Sequence, residues 1–359
     1  MRRLQTIAGV AALTLAAGVA AVPHAEAAGR QRTLAHHLIS PLSLAVGDDG
    51  TAYVTQNFAG MLAKVRPGKS PKVLYQSKNG NEVGGVSVRN GTVVFTETAS
   101  DAQGNPSDSW VKLLRRNGKA KTLAHVRAYE NRKNPDGKVT YGARGISSSC
   151  ASQWPVDKAG PAVYQGLPDS HPYATWQTRK KIYVADAGMN AVLSISPRGR
   201  IRTVAVLPPV PVKITPEVAG GVGIPDCAVG LTYYGEPVPT DVQRGPGGSL
   251  YVTTEGGGLG EMMPLGSLYR IKGKHVHKVA GGLFAPVGLA VSGHHVYVSQ
   301  LFGSTISKVN RAGKVHTFAS VNMPGALDFS RGHLYATTDV LVGLDPGATP
   351  GGKVVRFRH

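Results

Sequence analysis

The chain has 359 residues, with 46 glycines and 24 prolines, and only 17% of its residues are charged. This composition is typical of many short strands joined by turns, and it excludes a fold built from long charged helices. Lysine and arginine outnumber aspartate and glutamate by 40 to 21, which gives a net charge of +19. The positive residues are scattered among turns, so the sequence favours non-specific attraction to anionic envelope polymers over specific nucleic-acid binding.

The first residues have the features of an export signal. Arg2 and Arg3 precede an apolar stretch, and small residues at Ala25 and Ala27 stand where signal peptidase cuts. We predict a signal peptide over 1–27, cleaved after Ala27, with an uncleaved anchor as the alternative. Cleavage lowers the net charge to +18 and leaves a secreted, extracellular protein without a membrane span. The arginine pair does not identify the export route.

One sequence phrase recurs along the rest of the chain. It combines a glycine turn, a β-branched or aromatic pair, and then small polar or acidic residues. Alternation and flanking turns predict a strand for each copy, with one apolar strand before it and two strands after it. The six copies lie at 51–57, 92–97, 182–186, 250–255, 296–300 and 334–339.

Four antiparallel strands in a unit of about 40 residues make one blade of a β-propeller. A single blade would leave a hydrophobic face and unpaired edges exposed, so the units must stack around an axis. The sequence therefore predicts an all-β, six-bladed β-propeller over 28–359. The last unit supplies only three strands, and the segment 31–38 has no unit of its own. We expect this N-terminal strand to close the last blade beside 354–357.

Two insertions interrupt the repeat, at about 127–175 and 208–237, and the first is long enough to hold a seventh blade. Each insertion carries one of the two cysteines, Cys150 and Cys227. Pairing is the default for two cysteines in an exported protein, so we predict a disulfide bond and not a catalytic thiol. The disulfide would join the insertions into a cap over one face of the propeller.

Several blocks of sequence are specific enough to indicate a family. They lie at 164–166, 169–174, 183–193, 206–211, 214–217, 225–232 and 236–242, and include Asp-Ser-His-Pro-Tyr-Ala at 169–174. Together they resemble the ScyD/ScyE family of exported propeller proteins. The wider relatives are NHL-repeat propellers and propellers similar to gluconolactonase, regucalcin and strictosidine synthase. The resemblance covers essentially the whole mature chain; it implies a fold and export, and no agreed reaction or catalytic residues.

Polar residues at the ends of the second strands are expected to surround one mouth of the propeller channel. Carboxylate and amide oxygens at such a mouth suit Ca²⁺ or another divalent cation, which polarises a carbonyl or activates water. Glu97 and Asp186 are the first candidates for metal binding, although such side chains are often solvated or structural. The candidate ligand residues are Glu97, Asp186, Asn190, His171, Asp241, Glu255 and Asp339.

Two functions from different classes fit these residues. The first is a non-catalytic propeller that binds a small molecule or a protein partner at the channel mouth, with the cap shaping the site. The alternative is a divalent-metal-dependent hydrolase of lactones or esters that uses Glu97 and Asp186. The metal-dependent lactonases of this architecture support the alternative by analogy of fold only.

Overall fold

The computed structural model describes residues 31–115 and 117–358. The predicted signal peptide at 1–27 lies outside this part of the chain. The described residues form 28 strands in seven four-stranded antiparallel sheets, together with five short α-helices. None of these helices is long and apolar enough to cross a membrane.

The first two sheets, sheet 1 and sheet 2, each use four consecutive strands. The strand that precedes them, β1, belongs to a sheet completed at the other end of the chain. In chain order the strands are β1 (Gln31–Leu38); β2 (Leu44–Val46), β3 (Ala52–Gln56), β4 (Met61–Val65) and β5 (Lys72–Gln76) in sheet 1; and β6 (Glu82–Arg89), β7 (Thr92–Ser100), β8 (Pro106–Leu114) and β9 (Ala120–His125) in sheet 2.

Sheet 3 is flanked in the chain by the two insertions, which share a further sheet that we call the cap sheet. The first insertion contains α1 (Val126–Lys133), β10 (Thr140–Ala143), α2 (Ser148–Ala151), α3 (Val156–Ala159) and β11 (Val163–Gln165). Sheet 3 contains β12 (Pro172–Gln177), β13 (Ile182–Asp186), β14 (Ala191–Ile195) and β15 (Ile201–Val206). The second insertion contains β16 (Val210–Lys213), α4 (Pro216–Val222), a 3-10 turn (Asp226–Ala228) and β17 (Thr232–Gly235).

The remaining chain forms sheets 4, 5 and 6. Sheet 4 contains β18 (Pro239–Arg244), β19 (Leu250–Thr254), β20 (Gly266–Lys272) and β21 (His275–Leu283), with α5 (Gly257–Gly260) after β19. Sheet 5 contains β22 (Pro286–Ser292), β23 (His295–Gln300), β24 (Thr305–Val309) and β25 (Val315–Ser320). Sheet 6 contains β26 (Leu327–Ser330), β27 (His333–Thr338) and β28 (Gly352–Phe357), joined by β1. Two further 3-10 turns are Asn57–Ala59 and Pro246–Gly248.

The first strands of sheets 1 to 6 contact one another in a closed ring. Along this ring β2 contacts β6, β6 contacts β12, and the contacts continue through β18, β22 and β26 back to β2. Sheets stacked radially around an axis are the architecture of a β-propeller. Hydrophobic clusters fill the interfaces between neighbouring sheets, as Phe95 and Leu62 do between sheets 1 and 2. The core is therefore distributed around the ring.

The first strands approach one another closely near the axis, and two glycines make this approach possible. A Cβ atom on Gly85 would lie 2.7 Å from the Cα of Ala174 in the next sheet. A Cβ atom on Gly288 would lie 2.6 Å from the carbonyl oxygen of Gly325. Any larger residue would push these neighbouring sheets apart, because heavy atoms do not approach so closely without displacement.

The N-terminal strand closes sheet 6, as the sequence predicts. Strand β1 pairs antiparallel with β28, and Gln31 lies opposite Phe357 while Thr33 lies opposite Val355. Leu34 and Leu38 of β1 are buried in the process. The first and last described strands are thus held in one sheet.

The cap sheet differs from the sequence prediction, because strands from both insertions form it together. The sequence predicts six sheets and leaves room for a seventh in the first insertion alone. The structure has seven, and the additional sheet takes two strands from each insertion, in the order β11-β10-β17-β16. Strand β12 also begins at Pro172, inside the range assigned to the first insertion. Pairing between β10 and β17 joins segments about 90 residues apart, and no local periodicity indicates such a pairing.

The cap has a small hydrophobic core of its own, and its predicted disulfide is confirmed. Cys150 in α2 is bonded to Cys227 in the 3-10 turn of the second insertion. Around this bond pack buried residues from both insertions, including Trp154, Ile214 and Ala219. The cap is therefore an independent packing unit attached to one end of the propeller.

Candidate functional site

One end of the propeller, which we call the capped end, carries the two insertions. Asn190, in the turn between β13 and β14, fixes them there. Its amide nitrogen donates to Asp136 Oδ2 of the first insertion at 2.9 Å, and its amide oxygen accepts from the backbone N–H of Val238 at 3.1 Å. Asn190 has φ 53°, a left-handed conformation that asparagine tolerates better than most residues. This predicted site residue therefore connects the propeller to the first insertion and to the residue that directly follows the second.

Asp186 lies at the end of β13 and is completely buried. Its carboxylate accepts from the backbone N–H groups of His171 (2.9 Å) and Met189 (3.1 Å), and from the Ser170 hydroxyl (2.9 Å). Burial raises the pKa of Asp186 to about 6 against these stabilising hydrogen bonds. The structure thus uses Asp186 to hold the entry into β12.

His171 and Glu82 form a buried ion pair between sheets 3 and 2. His171 Nε2 lies 2.8 Å from Glu82 Oε2, and the other Glu82 oxygen accepts from Asn57 Nδ2 at 2.9 Å. Burial would lower the pKa of His171, but the charge of Glu82 outweighs it and raises the value to about 9. Burial would raise the pKa of Glu82, but His171 and Asn57 hold it below its usual value. Both groups are therefore charged at neutral pH.

Tyr173 and Glu255 lie near this pair, close to the channel. The pKa of Tyr173 is raised well above its usual value by burial and by the nearby carboxyls of Glu82 and Glu255. Burial and the charge of Glu261 likewise raise the pKa of Glu255 far above its usual value. The Tyr173 hydroxyl and Glu255 Oε1 are buried without a hydrogen-bond partner among the described residues. The predicted residues His171 and Glu255 are thus brought to the same region.

The other predicted residues lie elsewhere. Glu97 lies between sheets 1 and 2, where its carboxylate accepts hydrogen bonds from Tyr75, Asn81 and Lys112 at 2.5 to 2.7 Å. Asp339 is paired with Lys353 at 3.2 Å in sheet 6. Asp241 lies in the channel, where its oxygens accept from the backbone N–H groups of Leu289 (2.7 Å) and Val242 (2.6 Å). Burial raises the pKa of Asp241 to about 7.

These positions do not assemble the predicted metal site. Among residues 31–115 and 117–358, no three Asp, Glu, His or Cys side chains are arranged to bind a metal ion. Both oxygens of Glu97 and both oxygens of Asp186 already accept hydrogen bonds from protein groups. A divalent cation would have to replace those donors, so the arrangement does not favour Ca²⁺ at these residues. The calcium prediction itself stays untested.

A pocket of about 370 Å³ lies between the cap and the capped end; we call it the cap pocket. Apolar side chains of both insertions form one wall, among them Leu167, Val218 and Ile224. Gly188, Val238 and the glycine loop 256–258 form the opposite wall. This volume and this lining are typical of sites for small organic molecules.

Few ionisable side chains line the cap pocket. Glu236 lies in its wall, and the Tyr164 hydroxyl donates to Glu236 Oε1 at 3.0 Å. Burial is the main reason that the pKa of Glu236 is raised, and the charges of Asp136 and Asp169 add to it against hydrogen bonds from Asn190 and Tyr164. Asp169 also lines the pocket and is paired with Arg127 at 3.3 Å. Lys158 lines it too, but its side chain is exposed at the rim.

A second pocket, of about 200 Å³, is the propeller channel itself. Its walls are the first strands of all six repeat sheets, and the side chains there mainly bond neighbouring backbone. Asp328 accepts from Val46 N at 2.6 Å, and Gln243 donates to the carbonyl oxygen of Leu289 at 2.6 Å. The channel is thus a structural region whose polar groups hold adjacent sheets together.

Sequence reasoning missed several residues of the capped end. Tyr164 and Glu236 belong to the blocks that carry the family resemblance, so a signal existed without an assigned role. Glu82 and Asp136 gave no signal, because their partners His171 and Asn190 lie 89 and 54 residues away. Trp154 was part of an insertion with no predicted regular structure, and here it forms a wall of the cap pocket.

Comparison with models of protein families and with curated proteins finds no match. Solved structures with a similar fold include a putative oxidoreductase (glucose dehydrogenase) from Thermus thermophilus, with 15% identity, 91% of this chain and 99% of that chain covered, and a TM-score of 0.57. A gluconolactonase from Xanthomonas campestris shows 12% identity, 91% and 89% coverage, and a TM-score of 0.54.

A third similar structure is an inactive variant of virginiamycin B lyase from Staphylococcus aureus with quinupristin. It shows 14% identity, 92% coverage of this chain, 98% coverage of that chain, and a TM-score of 0.51. The three proteins differ in their named activities, and identities this low establish the β-propeller fold alone.

Proposed function

We propose that this protein binds a small organic ligand in the cap pocket. The observation that carries the proposal is the pocket of about 370 Å³ between the disulfide-linked cap and the capped end. The sequence predicts a ligand at the channel mouth, shaped by the insertions. The geometry supports a position under the cap, beside the turn that holds Asn190.

Three features support a binding role for the cap pocket. Its lining combines apolar and aromatic side chains with few polar groups, which gives affinity and orientation together. The indole N–H of Trp154, a lining residue, is buried without an acceptor in the described chain. The cap has its own hydrophobic core and a disulfide, so its wall is held in place without the ligand. A preformed site loses little entropy on binding.

We also propose a family, a division into blades and an extracellular location for the protein. We place the protein among exported propellers of the ScyD/ScyE type, on the strength of the blocks at 164–242. In this proposal the six repeat sheets are the blades, and the cap sheet is an added element outside the ring. The ring of contacts among the six first strands supports that division. A disulfide between the insertions supports an extracellular location.

A matched pair of substitutions in α4 tests the binding site. Gly221 lines the cap pocket, whereas its neighbour Gly220 does not, and a Cβ atom on either meets nothing within 4 Å. Gly221→Trp is expected to fill the pocket mouth and weaken binding of the neutral probe N-phenyl-1-naphthylamine by about tenfold or more. Gly220→Trp is expected to bind like the wild type. Fluorescence titration of the three proteins measures this difference.

Equal binding by the two variants would show that the probe lies elsewhere, and absence of saturable binding to the wild type would reject the proposal. Melting curves of both variants check that the cap remains folded. The metal-dependent hydrolase is tested alongside by calorimetry with Ca²⁺, Mn²⁺ and Zn²⁺. Micromolar binding that Asp186→Ala abolishes, together with turnover of a lactone, would favour that alternative.

A further inference from the structure

Two carboxyl groups, Glu236 and Asp169, stand in the lining of the cap pocket, which is otherwise mainly apolar and aromatic. Glu236 is partly buried there, and its Oε1 accepts a hydrogen bond from Tyr164. Water stabilises the charge of an exposed carboxylate, whereas the partly buried Glu236 faces a pocket of limited size and is less hydrated. A cation bound in that pocket would compensate for the reduced hydration.

Further carboxyl groups lie behind this wall. Glu130, Asp136 and Asp186 are at most 1% exposed, and Asp136 lies close enough to Glu236 to raise its pKa. One oxygen of Glu130 and one of Asp136 have no donor among the described residues. An ion pair in this region joins Arg127 to Asp169, at 3.3 Å. The capped end thus concentrates carboxyl groups in a chain of net charge +19. Burial raises the pKa of Glu130 to about 8, so this group carries only part of a charge at pH 7.5.

Aromatic rings complete the lining near this carboxyl group. The rings of Trp154 and Tyr233 are parallel within 5°, with centroids 6.3 Å apart, and both line the cap pocket. Tyr164, which donates to Glu236, lines it as well. Aromatic faces together with a carboxylate attract organic ammonium groups, because the ring faces carry negative potential.

We propose that the ligand of the cap pocket is a protonated organic amine, with its ammonium group beside Glu236 and its apolar body against Trp154 and Tyr233. This inference rests on the proposed function and names the ligand class for the same site. It excludes organic carboxylates, which would bring like charge to Glu236. Lys158 does not reverse this selectivity, since its exposed side chain remains in water at the rim.

Three ligands of one shape separate charge from apolar contact. They are 4-phenylbutylamine, 4-phenylbutan-1-ol and 4-phenylbutyrate, titrated by calorimetry into the disulfide-bonded protein at pH 7.5. The amine is expected to bind about tenfold more tightly than the alcohol, and the carboxylate more weakly than both. Tighter or equal binding of the alcohol would overturn the amine inference and leave the proposed function standing. Failure of all three ligands at millimolar concentration would overturn both.

Two variants with the same charge change locate the effect. Glu236→Gln is expected to reduce amine affinity to that of the alcohol and to leave alcohol affinity unchanged. Glu217→Gln is the control, because Glu217 is an exposed residue of α4 that does not line the pocket. Equal losses in the two variants would mean that the preference arises from general surface charge, which would overturn the inference.

The pH dependence provides a second measurement if Glu236→Gln fails to fold. Burial, Asp136 and Asp169 raise the pKa of Glu236, while Tyr164 and Tyr233 remain neutral because burial raises their pKa values too. The ligand amine stays protonated throughout, and Arg127 is engaged by Asp169. Amine affinity is therefore expected to fall as the pH is lowered from 8 to 5, because Glu236 becomes protonated, while alcohol affinity stays constant. An unchanged amine affinity would contradict the proposal.

Discussion

His171 and Glu82 join two neighbouring sheets through a pair of buried charges. Their side chains are 4% and 14% exposed, so each would be poorly solvated without the other. Removing one partner of a buried pair leaves an uncompensated charge, whereas removing both can be almost neutral. Removing one partner is therefore expected to lower the free energy of unfolding by more than the intact pair contributes to it.

This expectation gives a double-variant test. His171→Gln should lower the free energy of unfolding by about 3 kcal/mol or more, because Glu82 then remains buried without a cation. Adding Glu82→Gln should restore part of this loss. Urea unfolding of the wild type, the two single variants and the double variant measures both effects. Additive losses in the double variant would show that the two side chains do not act as a pair.

The same pair fixes a pH dependence. The pKa of His171 is about 9 in the folded protein, above its ordinary 6.5, so its stabilisation is complete below 6.5 and is lost as the pH rises through 9. The pKa of Glu82 is lowered, so its stabilisation is present above its ordinary value of 4.5 and is lost in acid. The difference in free energy of unfolding between the wild type and the double variant, measured by urea unfolding, should therefore be largest near pH 5 to 6. It should shrink by pH 9.

Individual site residues were predictable only in part. His171, Asp186, Asn190 and Glu255 were identified because each follows or precedes a recognisable strand. The roles assigned to them depended on partners that are distant in sequence. Asp186 fixes the backbone before β12, because a backbone N–H group lies opposite its carboxylate. Asn190 fixes the cap, because Asp136 of the first insertion lies opposite its amide. Residue type and position along a strand do not reveal which groups lie opposite.

The insertions show how elements without periodicity still form regular structure. Neither insertion alternates like a strand, yet together they contribute all four strands of the cap sheet. The short strand β10 is stable here because it is paired on both edges and its Ala143 packs in the cap core, and β11 is stable because it pairs with β10. Helix α4 has a clearer local signal, since the Thr215 hydroxyl accepts from the Val218 N–H at 3.3 Å and Pro216 follows it.

The disulfide is expected to stabilise the cap strongly. It closes a loop with a sequence separation of 77 residues, for which chain entropy gives a contribution of about 4.5 kcal/mol. The variant Cys150→Ser with Cys227→Ser should unfold at lower urea concentration than the wild type and should bind N-phenyl-1-naphthylamine more weakly. Reduction of the wild type should give the same two changes. An unaltered unfolding midpoint would show that packing alone holds the insertions together.

At the level of the whole molecule, the ring depends on its two chain ends. Strand β1 covers the outer edge of β28 and buries Leu34, Ala35 and Leu38. Without β1, sheet 6 would have three strands and an exposed edge that favours association with other chains. An incomplete sheet weakens a circular fold of this kind, because every sheet packs on two neighbours.

Deletion of residues 1–38 tests this closure against deletion of residues 1–27. The longer deletion is expected to lower the unfolding temperature clearly, since each buried leucine contributes about 1.5–3 kcal/mol. It should also increase association, measured by light scattering. If the two truncated proteins melt at the same temperature and remain equally dispersed, β1 is not needed for closure.

The sequence by itself determined the repeat with its six second strands, the closing role of 31–38 and the pairing of the cysteines. These features depend on alternation, turn residues and the order of units along the chain, all of which are local or countable. Only the tertiary structure decided the cap sheet, the His171–Glu82 pair and the cap pocket with Glu236 in its wall. Those depend on which distant segments meet at the capped end, and such meetings are set by packing in three dimensions.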